Sequence, residues 1–524
     1  MPPRIAPSHL PRARLQQLSL PRGPQHSAFL RCGLHSTPEN PIQPPSSAPK
    51  PSINLKALRG SPEYHVQNCL NRNHKALAAY PAKFVELYDE WVELQRSLRG
   101  ERERINAISM QLRRSTKDEK DELVKEAQVL KAKISSVEDK EHELERTMKQ
   151  LAAALPNTTH PQSPVGTEPR LLGYINEALA PATVDPEDMA VKAVKGHVQI
   201  GAELKLLDFA DAGVVSGWGW YYLLNEAVLL EQALVNYALS LAMRHGWQLV
   251  LPPNIVYASM AAACGFQPRD QHGEQQTYLL SEGRHALAGT AEIPLAGMHA
   301  NKTLAIEDLP VKLIGVGRAY RAEAGARGLE SKGLYRVHEF TKVELFAWAP
   351  PDDLDCCRRA AAEDEPSAST SPAFDAVGAK QHQTAQDIFD EMLEFQKTFL
   401  SSLGLYARVL EMPTADLGAS ASRKIDIEAF MPSRAKRDPW GEVSSLSNCT
   451  DYQSRRLNTR LKLEGGTGKK TAFPHTLNGT ACAVPRVLIA ILENGWTEER
   501  GGGVVVPAVL RPFMGGLDFI GRKK

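Results

Sequence analysis

The chain has 524 residues, with 62 lysines and arginines against 61 aspartates and glutamates and a formal net charge of +1. This length has room for two or three domains, and the 42% of hydrophobic residues is typical of a globular protein. The even charge balance excludes a protein that binds polyanions through its overall charge, so any nucleic-acid surface must be a local patch. No apolar run approaches the roughly 18 residues of a membrane-spanning helix, so we expect no membrane association.

The first segment, residues 1–38, has no aspartate or glutamate but contains five arginines among serines and leucines. This composition is typical of a mitochondrial transit peptide, and a disordered basic tail is the alternative. Residues 39–51 are rich in proline and serine and predict a linker. The seven cysteines form no CxxC pair, which predicts reduced thiols and no structural zinc site.

A long helical hairpin is predicted next. Apolar residues recur at spacings of three and four along residues 82–155, the pattern of a coiled-coil seam. Folding the chain at the polar turn Ser115–Asp118 places Leu112 opposite Leu123, so the two halves of the seam match in antiparallel order. Charged flanks favour an arm that projects from the protein, and a helical pair packed on the protein body is the alternative. We place this helical region at residues 52–156.

The remaining chain predicts a mixed α/β domain at residues 170–524, after a linker at 157–169. An acidic, low-complexity segment at about 358–379 predicts a surface insertion. We predict helices at 225–245, 387–403 and 484–494, and strands at 311–323, 334–346, 424–430 and 441–446.

The predicted strands at 311–323 and 334–346 form a hairpin with an unusual number of charges. It carries Arg318, Arg321, Arg336, His338 and Lys342, interleaved with Glu323, Glu344 and the aromatic Phe340. Arginine donates two hydrogen bonds to phosphate, an aromatic face suits a nucleobase, and a carboxylate can hold an ammonium group. The pattern therefore predicts a site for a nucleotide and an amino acid on a sheet surface. For Arg318 and Arg336 taken singly, ion pairs with neighbouring carboxylates are the favoured alternative.

The hairpin sequence resembles the second signature motif of class II aminoacyl-tRNA synthetases, and in detail that of seryl-tRNA synthetases. The matching segment is RAEAGARGLESKGLYRVHEFTKVELF, Arg321–Phe346. Four further segments resemble motifs of that family: PPN (252–254), GTAE (289–292), GEVSSLSNCTDYQSRRL (441–457) and HTLNGTACAVPRVLIAILEN (475–494). The helical hairpin resembles the arm of the family, so the resemblance covers about residues 52–524.

The resemblance implies an α+β fold, in which an N-terminal antiparallel coiled-coil arm precedes a class II synthetase domain. That domain is built on an antiparallel sheet flanked by helices. The implied enzyme activates L-serine with ATP to seryl-adenylate and transfers it to the 3′ end of tRNA-Ser. The implied partner of the arm is tRNA-Ser, and the implied assembly is a homodimer. With the leader at residues 1–38, the resemblance implies a form of the mitochondrial matrix that serves mitochondrial translation.

The resemblance also implies roles for individual residues. Arg321 contacts the α-phosphate, Glu323 contacts the adenine amino group, and Arg486 holds the far end of the triphosphate. These three are the implied catalytic residues, and Phe340 stacks on the base. The full implied ATP-binding set is Arg321, Ala322, Glu323, Val337, Phe340, Glu442, Val443, Ser444, Ser445 and Arg486.

The resemblance implies Mg²⁺ on the phosphates, held by Glu442 and Ser445, whose oxygens suit a hard cation. ATP and Mg²⁺ are therefore the expected cofactors. The implied serine-binding residues are Thr290, Ala291, Glu292, Glu344 and Thr480.

Two alternatives to an active synthetase are open from the sequence. A catalytically inactive paralogue with a structural or regulatory role would have lost Arg321, Glu442 or Arg486, and this chain keeps all three. A relative that charges a carrier protein would lack the long helical arm, which this chain has.

Overall fold

The structure is a computed structural model of the chain. It describes residues 48–112, 117–181, 195–266, 276–323, 333–352, 383–434, 438–463 and 471–522. The predicted leader, most of the first linker, the insertion at 358–379 and the hairpin loop at 324–332 lie outside the described residues. Within the described ranges, no helix is both long and apolar enough to cross a membrane.

Helices form the N-terminal region. They are α1 (Leu55–Gly60), α2 (Pro62–Asn71), α3 (Tyr80–Ser97), α4 (Arg99–Gln111) and α5 (Lys117–Ala154). Helices α3 and α4 are separated only by Leu98, and α5 packs along both of them. At about 1.5 Å per residue, α5 is about 57 Å long.

Ion pairs between the helices define the order of the hairpin. Lys140 of α5 pairs with Glu90 of α3 at 2.8 Å, and Arg104 of α4 pairs with Glu126 of α5 at 2.6 Å. Residue numbers rise along one helix as they fall along the other, which is the predicted antiparallel order. Part of the predicted turn Ser115–Asp118 lies outside the described residues. These pairs are exposed and contribute little to stability, so the apolar seam and the buried base hold the hairpin together.

The base of the hairpin has its own hydrophobic cluster. Phe84 of α3 and Met148 of α5 are fully buried, and Leu58, Cys69, Ala152 and Leu155 complete the cluster. Each leucine, phenylalanine or methionine of the cluster contributes about 1.5–3 kcal/mol on burial, so the cluster fixes the start of the arm.

The first residue of the segment predicted as a linker, 157–169, forms hydrogen bonds to the N-terminal helical region and to the rest of the chain. Asn157 is buried, and its carbonyl accepts hydrogen bonds from Arg72 and Asn68 at 2.8 and 2.9 Å. Its side-chain amide donates to the carbonyls of Ser420 and Cys449, both at 2.8 Å. Burial lowers the pKa of Arg72 to about 10. The arm therefore joins the remaining chain through a buried polar seam.

The rest of the described chain is built on strands with helices around them. The strands are β1 (Arg170–Ile175), β2 (Leu207–Asp208), β3 (Tyr222–Leu223), β4 (Gln248–Val250), β5 (Ile255–Tyr257), β6 (His285–Leu287), β7 (Thr303–Ala305), β8 (Val311–Tyr320), β9 (Glu339–Ala349), β10 (Ala407–Glu411), β11 (Arg423–Phe430), β12 (Trp440–Thr450), β13 (Arg460–Lys462), β14 (Thr471–Ala472), β15 (His475–Ala483), β16 (Trp496–Thr497), β17 (Gly503–Val505) and β18 (Phe519–Gly521). The helices are α6 (His197–Glu203), α7 (Ala210–Ser216), α8 (Glu226–Arg244), α9 (Ala258–Ala263), α10 (Glu292–Gly297), α11 (Ala385–Ser402), α12 (Tyr452–Leu457) and α13 (Val484–Asn494).

The main sheet has eight strands in the order β1-β10-β11-β12-β15-β9-β8-β4. Its strand pairs are antiparallel, except that β4 runs parallel to β8. Side chains alternate between its faces, as Val343 and Leu345 show by packing with α8, α11 and α13. On the other face, Phe346 and Trp348 pack in a second cluster that includes residues of α10. The predicted antiparallel sheet flanked by helices is therefore present.

The predicted boundaries of the central hairpin are wrong at the loop end. Strand β8 ends at Tyr320, three residues before the predicted end, and β9 begins at Glu339 and runs to Ala349. The residues before β9 leave the sheet because the backbone of Leu334 donates to the His197 ring at 3.2 Å. The backbone of His338 likewise donates to the Gly219 carbonyl at 3.0 Å. Arg321 and Glu323 therefore lie on the connection, not in the strand.

Candidate active site

A cavity lies on the face of the sheet to which Phe340 and Lys342 of β9 point. Its empty volume, including space that is open to solvent, is about 490 Å³. The residues that line it are Arg321, Glu323, Leu334, Tyr335, Arg336, Val337, Phe340, Lys342, Glu442, Val443, Ser444, Ser445, Thr480, Ala483, Pro485 and Arg486.

Most of the predicted site residues meet at this cavity. Those that line it are Arg321, Glu323, Val337, Phe340, Glu442, Val443, Ser444, Ser445, Thr480 and Arg486. The others do not line it: Thr290, Ala291, Glu292 and Glu344 are buried, and the backbone of Ala322 donates to the Gln276 carbonyl at 3.1 Å. The cavity is thus lined by every predicted ATP-binding residue except Ala322, together with Thr480 of the predicted serine contacts. The other four predicted serine contacts are buried.

Arg486, from the first turn of α13, is held by a frame of acceptors. Its guanidinium donates to the Tyr335 and Glu442 carbonyls at 3.2 and 3.0 Å and pairs with the Glu442 carboxylate at 3.2 Å. It also lies over the Tyr335 ring, 4.7 Å from the centroid. Burial alone would raise the pKa of Glu442, but Arg486, Lys424 and Arg321 hold it at about 2. Glu442 is therefore an ionised carboxylate at neutral pH.

Arg321 follows the end of β8 and points into the same cavity. Its guanidinium lies 5.4 Å from the centroid of the Phe340 ring, and its Nε approaches the Gly289 carbonyl at 3.5 Å. Burial and the charge of Arg486 lower its pKa, so two cationic groups share the cavity. Four cationic side chains line the cavity, Arg321, Arg336, Lys342 and Arg486, against the two carboxylates of Glu323 and Glu442. The lining is therefore net positive, which suits an anionic ligand.

Glu323 has a positive backbone φ of 47°, which is uncommon outside glycine and asparagine. Its carboxylate pairs with Arg336 at 3.3 Å. Arg318 forms pairs with Glu339 and Glu231 at 2.9 and 3.5 Å. The ion-pair alternative considered for Arg318 and Arg336 is therefore what the structure contains.

The buried serine-side residues are joined to the cavity by Lys342. Its ammonium contacts the Glu344 carboxylate at 2.7 Å and the Thr290 hydroxyl at 3.1 Å, and it also lines the cavity. Glu292 is buried nearby, where burial and the charge of Glu344 raise its pKa to about 8. An ammonium group is thus already bound by two of the residues predicted to hold the ammonium and hydroxyl of serine.

The remaining predicted contacts lie at the junction of β12 and β15. The hydroxyls of Ser445 and Thr480 are 3.3 Å apart, and the Ser444 hydroxyl donates to the Thr480 carbonyl. Ser445 and Glu442 offer a hydroxyl and an ionised carboxylate, the hard oxygen donors that Mg²⁺ prefers. Within the described ranges, no group of three or more histidine, cysteine, aspartate or glutamate side chains could hold a metal by itself.

Two family models match this chain. Residues 53–159 match the seryl-tRNA synthetase N-terminal domain. Residues 279–359 and 373–495 match the tRNA synthetase class II core domain (G, H, P, S and T), and the gap in the match falls within the predicted insertion.

Curated relatives match over most of the chain. The mitochondrial serine–tRNA ligase of Saccharomyces cerevisiae is 42% identical over 75% of this chain and 78% of its own length. The serine–tRNA ligase of Treponema denticola is 37% identical over 90% of this chain and 100% of its own length. The mitochondrial serine–tRNA ligase of Mus musculus is 36% identical over 83% of this chain and 78% of its own length.

The chain belongs to the seryl-tRNA synthetase family.

Two solved seryl-tRNA synthetase structures agree with this assignment. The Pyrococcus horikoshii seryl-tRNA synthetase, complexed with ATP, covers 90% of this chain and all of its own, with a TM-score of 0.74 and 30% identity. The cytoplasmic serine–tRNA ligase of Naegleria fowleri, in complex with AMP, gives a TM-score of 0.72 at 27% identity and covers 90% and 99% of the two chains. The predicted family, fold class and class of enzyme are confirmed, and none of these relatives supports the inactive alternative.

Sequence reasoning about this seryl-tRNA synthetase missed three side chains at the site. Lys342 is one of the hairpin charges, and strand alternation places it between Phe340 and Glu344 on one face, but the sequence predicts no role for it. Tyr335 packs against Arg486, and its position inside the matching segment Arg321–Phe346 was the only signal for it. The third is Gln453, which donates to Glu292 at 2.6 Å across a separation of 161 residues. No pattern in a single sequence indicates that contact.

Proposed function

We propose that this chain is a mitochondrial serine–tRNA ligase that forms seryl-adenylate at the cavity and charges tRNA-Ser. The observation that carries the proposal is the meeting of Arg321, Arg486 and Glu442 in one cavity, with Glu344 and Thr290 directly behind Lys342. A cavity with a net positive lining, suited to a triphosphate, next to buried polar groups suited to an amino acid supports this proposal.

In the first step, the serine carboxylate attacks the α-phosphorus of ATP. A new oxygen–phosphorus bond forms, the bridging bond to the β-phosphate breaks, and pyrophosphate leaves. Arg321 holds the α-phosphate, Arg486 holds the far end of the triphosphate, and Phe340 and Val337 contact the base. No protein nucleophile is needed, since these residues work by positioning and by stabilising charge.

Glu442 and Ser445 would hold Mg²⁺ at the phosphates. The ion supplies positive charge that offsets the negative charge of the phosphate oxygens. The fit is supported by the ionised state of Glu442, whose pKa is about 2.

The second step transfers serine to RNA. The 3′-terminal hydroxyl of tRNA attacks the activated carbonyl, the carbonyl–phosphate bond breaks, and AMP leaves. Selection of serine over alanine follows from buried polar groups, which lose a partner when the substrate has no hydroxyl. Thr290, Glu292 and Glu344 are the buried groups that we assign to this selection. Thr480 at the cavity wall, paired with Glu344 on the neighbouring strand, also contacts the serine.

The experiment that tests the function is aminoacylation of tRNA-Ser with labelled serine. We expect acid-precipitable seryl-tRNA that requires ATP, and no charging of a tRNA for another amino acid. Adenylate formation without transfer to any tRNA would contradict the proposed ligase activity.

Serine use should depend on pH through Glu292. Because its pKa is raised to about 8, a growing fraction is protonated, and unable to bind an ammonium, as pH falls below 8. We expect kcat/KM for serine in pyrophosphate exchange to fall by up to about tenfold per pH unit below that value. A Glu292→Gln variant should lose this limb of the profile together with most of its activity. A profile that is flat between pH 6.5 and 8.5 in the unmodified enzyme would contradict the assignment.

The arm is proposed to bind tRNA-Ser through its lysines and arginines. Reversing Arg113 and Arg114, which lie next to the predicted turn and outside the described residues, should weaken tRNA binding while adenylate formation is retained. If each arginine contacts one phosphate, the negative slope of log binding constant against log salt concentration should become shallower by about 2. Unchanged affinity in a filter-binding titration would contradict this role.

A homodimer is proposed from the resemblance at the first motif and from exposed apolar side chains around it. Leu229 on α8, Leu251 after β4 and Ile255 on β5 are 47, 85 and 54% exposed. In the proposed dimer, the partner subunit covers these side chains. We expect light scattering to give twice the chain mass of 57.6 kDa, and Leu251→Asp to shift the enzyme toward monomer. A monomeric unmodified enzyme at micromolar concentration would contradict the proposal.

The mitochondrial location is supported by the relatives named mitochondrial and by the arginine-rich, acid-free composition of residues 1–38. We expect isolated mitochondria to import the full chain. Import should be lost when arginines of this segment are replaced by glutamate. Import that does not respond to these changes would contradict a transit-peptide role.

A further inference from the structure

A completely buried glutamine touches the serine-side carboxylate. Gln453, on the short helix α12, is 0% exposed, and its Nε2 donates to the Glu292 Oε1 at 2.6 Å. Its Oε1 is buried and has no hydrogen-bond partner in the part of the chain that the structure describes. The amide therefore has one strong contact, and that contact is with Glu292.

Packing alone does not explain a glutamine at this position. A buried carbonyl oxygen without a partner costs about 1–3 kcal/mol, and an apolar side chain of the same length would avoid that cost. Hydrogen bonds to a charged group are among the stronger ones, so the amide changes the position and charge of Glu292 more than it stabilises the fold.

The helix that carries Gln453 is held from its other side. Arg456, also buried, donates to the Ala153 and Leu155 carbonyls at the base of the arm, at 2.9 and 3.3 Å. The Ser454 hydroxyl donates to the Pro474 carbonyl at 2.6 Å. With its neighbours fixed, Gln453 reaches Glu292 from a rigid support, as a positioning group requires.

We propose that Gln453 is a positioning residue for serine binding, which orients the Glu292 carboxylate toward the substrate ammonium and favours its ionised form. The proposal rests on the proposed role of Glu292 in holding serine. The Gln453 hydrogen bond lowers the pKa of Glu292, against the larger raising effects of burial and of Glu344. The other titratable groups that face Glu292 are Lys342, Arg321, Cys264 and Cys449.

The test is steady-state pyrophosphate exchange by full-length Gln453→Met, which keeps the side-chain length and removes the amide. We expect kcat/KM for serine to fall about 10- to 100-fold, the value of a hydrogen bond to a charged group, while KM for ATP changes less than threefold. The limb of the serine pH profile should also move to higher pH, since the ionised form loses a donor. Gln453→Asn keeps the amide but shortens its reach, so it should also lower kcat/KM for serine and leave KM for ATP nearly unchanged. It replaces the methionine variant if that variant folds poorly.

A double-mutant cycle with Glu292→Ala separates the two claims. If Gln453 acts through Glu292, its replacement should have no further effect on serine in the Glu292→Ala background. Equal effects on serine and ATP, or additive effects in the cycle, would overturn the proposal for Gln453. If Glu292→Ala leaves serine use unchanged, the role proposed for Glu292 fails, and the Gln453 proposal fails with it.

Gln386→Met, which removes an exposed amide contact to Asp390 at 2.9 Å, is the matched control and should leave kcat/KM for serine unchanged.

Discussion

Replacing Arg321 with alanine should reduce serine-dependent ATP–pyrophosphate exchange about 10²- to 10³-fold, which is the usual loss when one preorganised donor to the developing charge is removed. The guanidinium is half-buried in the cavity beside Phe340, and its charge is close enough to Arg486 to be perturbed by it. In the proposed reaction it contacts the phosphate that is attacked. The loss should therefore appear in kcat as well as in KM for ATP.

Arg318→Ala is the matched control for this experiment. Arg318 lies on the adjoining strand β8, but its guanidinium is engaged by Glu339 and Glu231 and does not line the cavity. We expect the exchange rate of this variant to stay within about threefold of the unmodified enzyme, because the ion pairs of Arg318 lie outside the cavity and each contributes little. An Arg321→Ala enzyme no more impaired than Arg318→Ala would contradict the proposed contact with the α-phosphate.

Glu442→Gln should lower exchange about 10²-fold and raise the Mg²⁺ concentration required for half-maximal rate, because an amide is a poor ligand for a hard cation. The pKa of Glu442 is about 2, so the carboxylate is fully ionised at neutral pH and the substitution removes one whole charge. It also weakens the pair with Arg486 at 3.2 Å. Calorimetry of ATP binding with and without Mg²⁺ separates loss of the metal ligand from weakening of the pair with Arg486. Only the loss of the metal ligand should depend on Mg²⁺.

Glu428→Gln provides the control for Glu442. Glu428 lies opposite Glu442 in the pairing of β11 with β12, and its carboxylate is held by Arg408 at 2.6 Å. It does not line the cavity, so its replacement should leave the Mg²⁺ dependence unchanged. If Glu442→Gln responds to Mg²⁺ as the unmodified enzyme does, Glu442 is not a metal ligand.

The sequence predicts positions correctly for residues that lie on a single strand or helix. Alternation along β9 puts Phe340, Lys342 and Glu344 on one face, and the structure has them there. Helix α13 has the predicted bounds of 484–494, because proline in its first turn marks the start and Gly495 follows its last residue. In these elements the local pattern and the tertiary fold agree.

Sequence reasoning failed where distant segments decide the conformation. Residues 333–338 alternate like a strand, yet His197 and Gly219 bind their backbone and hold them out of the sheet. The contact of Gln453 with Glu292, and that of Arg72 with Asn157, likewise join segments far apart in the chain. Only the assembled fold brings such groups together, so periodicity cannot reveal them.

The most direct measurement is ATP–pyrophosphate exchange by the unmodified enzyme without residues 1–38, with serine, alanine and threonine compared. We expect exchange with serine to be at least 100-fold faster than with alanine, since alanine lacks the hydroxyl that the proposed buried polar groups bind. Threonine keeps the hydroxyl, so its rate reports on the size of the site. Equal exchange with alanine would contradict the role of the buried groups in selecting serine. No exchange with any of the three, from folded protein, would contradict adenylation at this cavity altogether.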